Sequence, residues 1–228
     1  MLKRMILRII SIAFFLGFSI SAHAAVVKIL AYGDSLTAGL GLPLEKSLPS
    51  QLAEALKLDG HDVKMINAGV SGDTTSGGVT RLPWTFQDLQ GAEKPDVAIL
   101  ALGANDMLRF IPPEVTEKNL DKMIRFFQEQ DVKVLLAGMQ SLTNNGEAYR
   151  QKFDAIYPAL AEKYNLDFYP FLLEGVALYP EMNQEDGLHP NEQGVARIVE
   201  GLKPVLSKMI AELTQNSDPV IPVQNLKK

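Results

Sequence analysis

Short apolar runs recur along the chain, at intervals typical of buried strands. Four of them are rich in Val, Ile, Leu and Ala and end close to Gly, Asn or Ser, and a shorter fifth run follows. Runs that are apolar on both faces are typical of strands in a parallel sheet that helices cover on each side. The predicted strands are Val26–Tyr32, Asp62–Asn67, Val97–Leu102, Val132–Met139 and Asp167–Tyr169.

Segments with apolar residues at helical spacing lie between and after these strands. They predict helices over Leu48–Leu58 and Val115–Gln130, and a third over Glu147–Tyr164, which we expect Pro158 to kink or restart. A long closing helix is predicted over Asn191–Leu213. This alternation of strands and helices predicts an α/β fold, a three-layer α/β/α sandwich with a doubly wound, mainly parallel, five-stranded sheet.

The first 24 residues have the pattern of a signal peptide. Three basic residues precede the apolar run Ile9–Ile20, and Ala22 and Ala24 occupy the −3 and −1 positions of a cleavage site. The run is short for a bilayer span and no stop-transfer segment follows, which disfavours the alternative of an uncleaved anchor. We therefore expect cleavage after Ala24, export to the periplasm or the medium, and no stable membrane insertion afterwards.

Cleavage at that position leaves one predicted folded domain over residues 25–214 and a polar, flexible tail over residues 215–228. The full chain of 228 residues has a formal net charge of −5, and the loss of three basic residues and no acid makes the charge −8. An acidic protein is a poor electrostatic partner for nucleic acid or an anionic membrane surface. The absence of cysteine excludes disulfides, thiol catalysis and thiolate metal sites.

The loop after the first predicted strand carries a candidate nucleophile. It reads Gly33-Asp34-Ser35-Leu36, so a serine directly follows a buried strand in a glycine-flanked turn. In doubly wound sheets the active site forms at the carboxyl ends of the strands, and free N–H groups at a following helical turn face the same space. Taken alone, the motif fits a turn-capping role equally well, because Asp and Ser commonly cap turns.

The positions of the histidines indicate which residue serves this serine as a base. Of the three histidines, His23 would leave with the signal peptide, and His61 lies in a polar turn at the opposite end of the predicted sheet. His189 remains, and Asp186 lies three residues before it across a glycine-containing turn. A carboxylate in that place can orient the imidazole and stabilise the imidazolium. A lone histidine in a capping loop is often incidental, but beside a strand-end serine it is better explained as a base.

Two further loops at strand ends carry candidate donors for the oxyanion of a tetrahedral intermediate. Gly72 can present an unobstructed backbone N–H, and Asn105 offers its side-chain amide. Such loops are common turns, so each carries little weight by itself. The chain lacks a Gly-x-Ser-x-Gly elbow, a Walker A loop, a Rossmann fingerprint and a His-Glu-x-x-His motif. With two histidines after cleavage and no cysteine, we expect no metal and no cofactor.

These features together resemble the four blocks of the GDSL, or SGNH, hydrolase family. The blocks are Gly33-Asp34-Ser35-Leu36, Gly72 within Ser71–Thr74, Asn105 within Gly103–Asp106, and Asp186-Gly187-Leu188-His189-Pro190, and they span nearly the whole mature chain. The closest resemblance is to the exported bacterial subgroup described as acyl-CoA thioesterases, lysophospholipases and arylesterases. The segment Arg81-Leu82-Pro83 also resembles that subgroup, whereas Ala104 stands where many relatives have glycine.

The resemblance implies a flavodoxin-like fold and a set of roles. Ser35 would be the nucleophile, His189 the base and Asp186 its orienting carboxylate. The oxyanion hole would consist of the backbone N–H groups of Ser35 and Gly72 and the side chain of Asn105. No cofactor is implied.

Apolar residues near these blocks predict a substrate pocket, although we expect about half of the apolar residues there to be core. We expect Arg109 to be solvated rather than to meet an anionic leaving group. The expected substrate is a small-molecule aryl or short-to-medium acyl ester or thioester. A carbohydrate acetylesterase on the same scaffold and a non-catalytic periplasmic lipid-binding module are the alternatives. The candidate pocket residues are Leu108, Phe110, Ile111, Leu178, Tyr179 and Met182.

Overall fold

Five parallel strands form the central sheet of the computed structural model, which describes residues 26–217. The order across the sheet is β2-β1-β3-β4-β5, and every neighbouring pair is parallel. The predicted doubly wound fold is therefore confirmed, and each predicted strand is present with ends that shift by at most two residues. The strands are β1 (Val27–Gly33), β2 (Val63–Gly69), β3 (Val97–Ala101), β4 (Lys133–Ala137) and β5 (Asp167–Tyr169).

Helices cover both faces of the sheet. Helices α2 and α7 pack together on one face, and α3, α5 and α6 pack side by side on the other. Because both faces are covered, strands such as β3 are buried along their whole length and read as continuous apolar runs. Across the described residues the α-helices are α1 (Ser35–Ala38), α2 (Leu48–Leu58), α3 (Thr75–Gln87), α4 (Ala104–Leu108), α5 (Pro113–Glu129), α6 (Glu147–Tyr164) and α7 (Glu192–Ser217).

Every predicted helix is present, and α5 begins two residues before its predicted start. Helix α6 runs through Pro158 as one continuous helix, so it does not restart there. Helix α7 extends to Ser217, so residues 215–217 of the predicted tail belong to the helix. The remainder of that tail and the predicted signal peptide, residues 1–24, lie outside the described residues. Within residues 26–217 no helix has the length and apolar character needed to cross a membrane.

Helix α3 has no counterpart in the sequence prediction, because Gly77, Gly78 and Pro83 are poor helix formers. Its first turn is stabilised by the side chain of Thr74, which accepts a hydrogen bond from the N–H of Gly77 at 3.2 Å. Gly78 also allows close packing, since a Cβ there would lie 2.5 Å from the Leu102 side chain. Tertiary packing thus outweighs the weak local propensity of this segment.

The strand ends bring the candidate blocks to one edge of the sheet. Gly33, at the end of β1, is paired in register with Gly69 of β2 and Ala101 of β3, so the three following loops start side by side. The strand order reverses at β1 and β3, which is where ligands bind in doubly wound sheets. His61 precedes β2 and therefore lies at the opposite edge, as predicted.

Candidate active site

Ser35 is held at the start of α1 by a tight strand-to-helix connection. Asp34 caps the helix, and its Oδ1 accepts a hydrogen bond from the N–H of Leu36 at 3.0 Å. Gly33 must be glycine, because a Cβ there would lie 2.0 Å from Thr37 Oγ1 and 2.7 Å from the Ala101 carbonyl oxygen. Ser35 is only 7% exposed, yet its side chain lines a surface cavity. The connection thus places a nearly buried hydroxyl at a solvent-accessible edge.

A continuous hydrogen-bonded chain links Ser35, His189 and Asp186. His189 Nε2 lies 2.9 Å from Ser35 Oγ, and His189 Nδ1 lies 2.6 Å from Asp186 Oδ2. A carboxylate can only accept here, so the Nδ1 atom carries the proton and Nε2 is free to accept the proton of the serine. The structure therefore brings the three residues together in the order that general-base catalysis needs.

Asp186 is kept ionised by the loop that carries it. Its Oδ1 accepts hydrogen bonds from the backbone N–H groups of His189 at 3.0 Å and Leu188 at 2.9 Å. The backbone and then the side-chain hydrogen bonds of His189, followed by the backbone N–H of Leu188, lower the pKa of Asp186 to about 2. The carboxylate is thus available to the imidazole at any pH near neutrality.

Gly72 lies in the loop after β2, beside the connection that carries Ser35. The N–H of Val70 donates to the carbonyl oxygen of Gly33 at 3.0 Å and draws the two loops together. Gly72 adopts a left-handed conformation with φ of 78°, which favours glycine. Arg109 Nη2 donates to the Gly72 carbonyl oxygen at 2.8 Å. Arg109 is exposed, as expected of a solvated side chain, and this hydrogen bond in addition connects it to the Gly72 loop.

Asn105 lies in α4, directly after β3, and lines the same cavity as Ser35. Its Nδ2 donates to Asp34 Oδ2 at 3.4 Å, so the residue before the serine contacts the candidate oxyanion donor. Burial raises the pKa of Asp34 to about 6, against the opposing effect of the Leu36 N–H. The sequence indicates Asp34 only as a turn cap, and no local pattern in it predicts this second contact.

Arg81 connects the two loops that carry candidate backbone donors. Its Nε lies 2.7 Å from Asp73 Oδ2, and its Nη2 donates to the Gly33 carbonyl oxygen at 2.9 Å. The guanidinium also lies 3.8 Å from the centre of the Tyr32 ring. Only the resemblance to the family singled out Arg81 in the sequence, because nothing in local periodicity indicates a partner at Gly33.

A buried carboxylate, Asp106, links α3, α4 and α5 behind the site. It is fully buried and accepts hydrogen bonds from the Thr75 N–H at 2.8 Å, the Thr75 hydroxyl at 2.5 Å and the Thr116 hydroxyl at 3.1 Å. Asn119 Nδ2 in turn donates to Thr75 Oγ1 at 3.1 Å. This network fixes α4, which carries Asn105, against the start of α3.

The cavity at Ser35 has a volume of about 270 Å³ and mostly apolar walls. Ser35, Asn105 and His189 lie along it, so the candidate reacting groups open into an apolar space. The walls come from loops after β1, β3, β4 and β5, and several of these residues had not been predicted. The apolar lining consists of Leu36, Ala104, Met107, Leu108, Met139, Leu142, Phe171, Leu173, Ala177, Leu178 and Leu188.

Of the six predicted pocket residues, Leu108 and Leu178 line this cavity. The ring of Phe110 lies 6.0 Å from that of Tyr149, whose hydroxyl donates to the Ile111 carbonyl oxygen. Tyr179 lines a neighbouring groove, and Met182 packs against the hydrophobic core. Closeness in sequence to the blocks does not determine the direction in which these four side chains point. Within residues 26–217, no group of three or more His, Asp or Glu side chains is arranged to hold a metal ion.

This chain is similar in sequence and in fold to known proteins. The model of the GDSL-like lipase/acylhydrolase family matches residues 31–197. The chain is 41% identical to an arylesterase of Vibrio mimicus over 85% of this chain and 94% of that protein. It is 32% identical to thioesterase 1/protease 1/lysophospholipase L1 of Escherichia coli over 82% and 86% of the two chains. The crystal structure of AlinE4, an SGNH-hydrolase family esterase, superposes with a TM-score of 0.68 at 41% identity, covering 81% of this chain and 96% of that one.

Proposed function

This chain belongs to the GDSL-like lipase/acylhydrolase family, the SGNH hydrolases, and from that premise we propose that Ser35 is the nucleophile of a carboxylic ester and thioester hydrolase. In this proposal His189 is the general base and Asp186 orients it. One observation supports it above all others, namely the unbroken hydrogen-bonded chain from Ser35 through His189 to Asp186 at an apolar cavity.

The first half-reaction forms an acyl-enzyme. Ser35 Oγ attacks the carbonyl carbon while His189 Nε2 accepts the hydroxyl proton, and Asp186 stabilises the resulting imidazolium. The negative charge on the carbonyl oxygen is met by the backbone N–H groups of Ser35 and Gly72 and by Asn105 Nδ2. Collapse of the intermediate breaks the bond to the alcohol or thiol, which leaves with the proton from His189.

The second half-reaction releases the acid. Water enters the position of the leaving group, and His189 Nε2 accepts a proton from it as the oxygen attacks the acyl carbon. The same donors stabilise the second oxyanion, and the proton returns to Ser35 Oγ as the acyl bond breaks. Apart from the ester or thioester and one water molecule, no group outside this chain is needed to balance either step.

The cavity supports an acyl or aryl substrate. Its walls are mainly Leu, Met and Phe side chains, which favour hydrocarbon over sugar hydroxyls, because a hydroxyl buried without a partner costs free energy. This composition favours a small apolar ester over the carbohydrate acetylesterase alternative. The acidic net charge likewise favours a small-molecule partner over nucleic acid.

The direct test uses p-nitrophenyl butyrate hydrolysis and labelling by a fluorescent alkyl phosphonate. Ser35→Ala should abolish both signals, His189→Ala should reduce both by at least 100-fold, and the matched variant Ser207→Ala on α7 should leave them unchanged. Full turnover by Ser35→Ala would refute the proposed nucleophile. A wild-type protein that binds fatty acid but turns over no ester would instead favour the lipid-binding alternative.

We further propose that the protein is exported and cleaved after Ala24, on the basis of the basic, apolar and small-residue pattern of residues 1–24. Expression of the full chain in a Gram-negative host should yield periplasmic protein whose N-terminal residue is Ala25. Recovery of an uncleaved chain from the membrane fraction would overturn this proposal.

A further inference from the structure

Gln184 makes an unusual long-range contact beside the proposed active site. Its Nε2 donates to the Leu40 carbonyl oxygen at 2.8 Å and to the Pro190 carbonyl oxygen at 2.9 Å. Both acceptors are carbonyl groups, so the amide nitrogen must be the atom that faces them. A single half-buried side chain thus joins two segments that are 144 residues apart in sequence.

Both acceptors lie next to the residues proposed to react. Leu40 follows α1, and its N–H donates to the Ser35 carbonyl oxygen at 3.2 Å. Pro190 directly follows His189, whose own carbonyl oxygen accepts the backbone N–H of Gln184 at 2.8 Å. The backbone of Gln184 therefore shapes the turn that carries His189, while its side chain fastens that turn to the segment that carries Ser35.

Gly41 is shaped to receive this side chain. It has a φ of 79°, and a Cβ built on it would lie 2.0 Å from Gln184 Oε1. Two separate constraints therefore require glycine at position 41, the left-handed backbone and the close approach of the amide. The Gln184 side chain therefore makes a specific contact with the Leu40–Gly41 turn. Its amide nitrogen donates to the Leu40 carbonyl oxygen, and its amide oxygen lies close to Gly41.

Another link between these regions is weaker. The ion pair between Lys46 and Glu192 spans 3.1 Å, but the two side chains are 44% and 54% exposed, and exposed ion pairs contribute little to stability.

The contact between Ser35 Oγ and His189 Nε2 spans 2.9 Å and has to be kept at that length for proton transfer. A misplacement of about 1 Å can cost on the order of 100-fold in rate.

We propose that Gln184 is a positioning residue that holds the His189 turn at reacting distance from Ser35, through its bonds to Leu40 and Pro190 and its fit against Gly41. This inference rests on the proposed catalytic roles of Ser35 and His189. Gln184 itself does not line the cavity at Ser35, so its effect is on the geometry of the reacting pair and not on the binding of the acyl group.

The test compares Gln184→Ala with the matched variant Gln193→Ala, an exposed glutamine in the first turn of α7. We expect Gln184→Ala to lower kcat for p-nitrophenyl butyrate by about 10-fold or more, to change KM by less than twofold, and to slow phosphonate labelling of Ser35 in parallel. Gln193→Ala should match the wild type. Assays are made at a temperature at which thermal melts show every variant fully folded.

Gly41→Ala tests the same contact from the other side. It should lower kcat in the wild-type background and have a smaller effect in the Gln184→Ala background, because there the clash with the amide is gone and only the strain of the left-handed backbone at position 41 remains. Wild-type kcat in Gln184→Ala, a rise in KM alone, or additive effects of the two substitutions would each overturn the inference. Retained activity in Ser35→Ala would instead refute the proposed nucleophile, so the two failures are distinguishable.

Discussion

Asp34 is a buried carboxylate that contacts both the helix start at Ser35 and the amide of Asn105. It is 1% exposed, and burial raises its pKa from 3.8 to about 6. As the pH rises, the unfolded chain therefore loses this proton before the folded chain does, and stability falls between about pH 4 and pH 6. Asp34 thus makes the protein less stable at neutral pH while it helps to orient an oxyanion donor.

Replacement of Asp34 by Asn should remove this dependence on pH. A pKa difference of about two units corresponds to a decline on the order of 3 kcal/mol in the free energy of unfolding from pH 4 to pH 7. Urea denaturation at several pH values should show that decline in the wild type and a flatter profile in Asp34→Asn. Parallel profiles for the two proteins would show that the carboxyl does not titrate in this range.

The same substitution has a second consequence at the active site. An amide nitrogen at the position of Asp34 Oδ2 would face Asn105 Nδ2, and two donors cannot bond to each other. We therefore expect Asp34→Asn to lower kcat at all pH values, because Asn105 no longer presents its amide to the oxyanion in the same orientation.

Asp186 is the residue whose charge should matter most to His189. Asp186→Asn should lower kcat by roughly 100-fold to 10,000-fold, because an amide neither fixes the tautomer nor stabilises the imidazolium. Glu185→Gln removes the same charge from the adjacent exposed position and should leave the rate near wild type. Steady-state hydrolysis of p-nitrophenyl butyrate checks both variants, and equal losses in the two would point to net charge instead of orientation.

At the scale of elements, the buried network of Asp106 determines how α4 meets α3. The carboxylate accepts three hydrogen bonds, two of them from Thr75 at the start of α3. Thr75 follows the loop that carries Gly72, and Asp106 follows Asn105. The network therefore fixes two proposed oxyanion donors relative to each other without touching the substrate.

Replacement of Asp106 by Asn should destabilise this junction. The amide removes one acceptor and leaves a buried donor without a partner, which costs about 1–3 kcal/mol. We expect a corresponding fall in the free energy of unfolding and in Tm, and a lower kcat from the displaced donors. Asp88→Asn, at the exposed end of α3, is the control and should change the free energy of unfolding by less than about 0.5 kcal/mol. Wild-type stability in Asp106→Asn would show that the junction does not depend on the second acceptor oxygen of Asp106.

The elements themselves were largely predictable, with one instructive exception. Helices α2 and α6 have the predicted bounds, because their apolar residues recur at helical spacing over eleven and eighteen residues. Helix α3 was missed, because its Gly77-Gly78 pair and Pro83 oppose helix formation locally. Its stability comes from the Thr74 cap and from burial of Leu82 and Phe86, which only the assembled domain supplies.

At the scale of the whole molecule, the cavity sets the expected range of substrates. The cavity of about 270 Å³ has mostly apolar walls and a limited size, so it should take up an acyl chain of limited length. We expect kcat/KM to rise along a series of p-nitrophenyl esters from acetate towards octanoate and to level off once the chain is longer than the cavity. The gain should be at most about 0.8 kcal/mol, or roughly fourfold, per methylene.

A substitution at Ala177 tests whether the acyl chain occupies this cavity. It lines the cavity, so Ala177→Phe should fill part of it and reduce activity towards octanoate far more than towards acetate. Ala196→Phe, on the exposed face of α7, makes the same change outside the cavity and should leave the profile unaltered. Equal loss for acetate and octanoate in Ala177→Phe would show that the acyl chain lies elsewhere.

The sequence by itself determined the class of fold and the candidate catalytic residues. Strands buried on both faces are visible as apolar runs, and the carboxyl ends of parallel strands must share one edge, so Ser35, Gly72 and Asn105 were expected together. Elimination of His23 and His61 left His189, and its spacing to Asp186 is local. These inferences depend on the periodicity of apolar residues, on the short spacing between Asp186 and His189, and on the small number of histidines in the chain.

Only the tertiary structure decided which side chains complete the site. The bonds of Arg81 to Gly33 and of Gln184 to Leu40 join residues 48 and 144 positions apart, and no local pattern encodes such pairs. The pocket walls likewise depend on the direction in which loop side chains point, so Leu108 and Leu178 line the cavity whereas Phe110 and Met182 do not. Distance and orientation across the fold are properties of the packed chain, and they exist only once its elements have assembled.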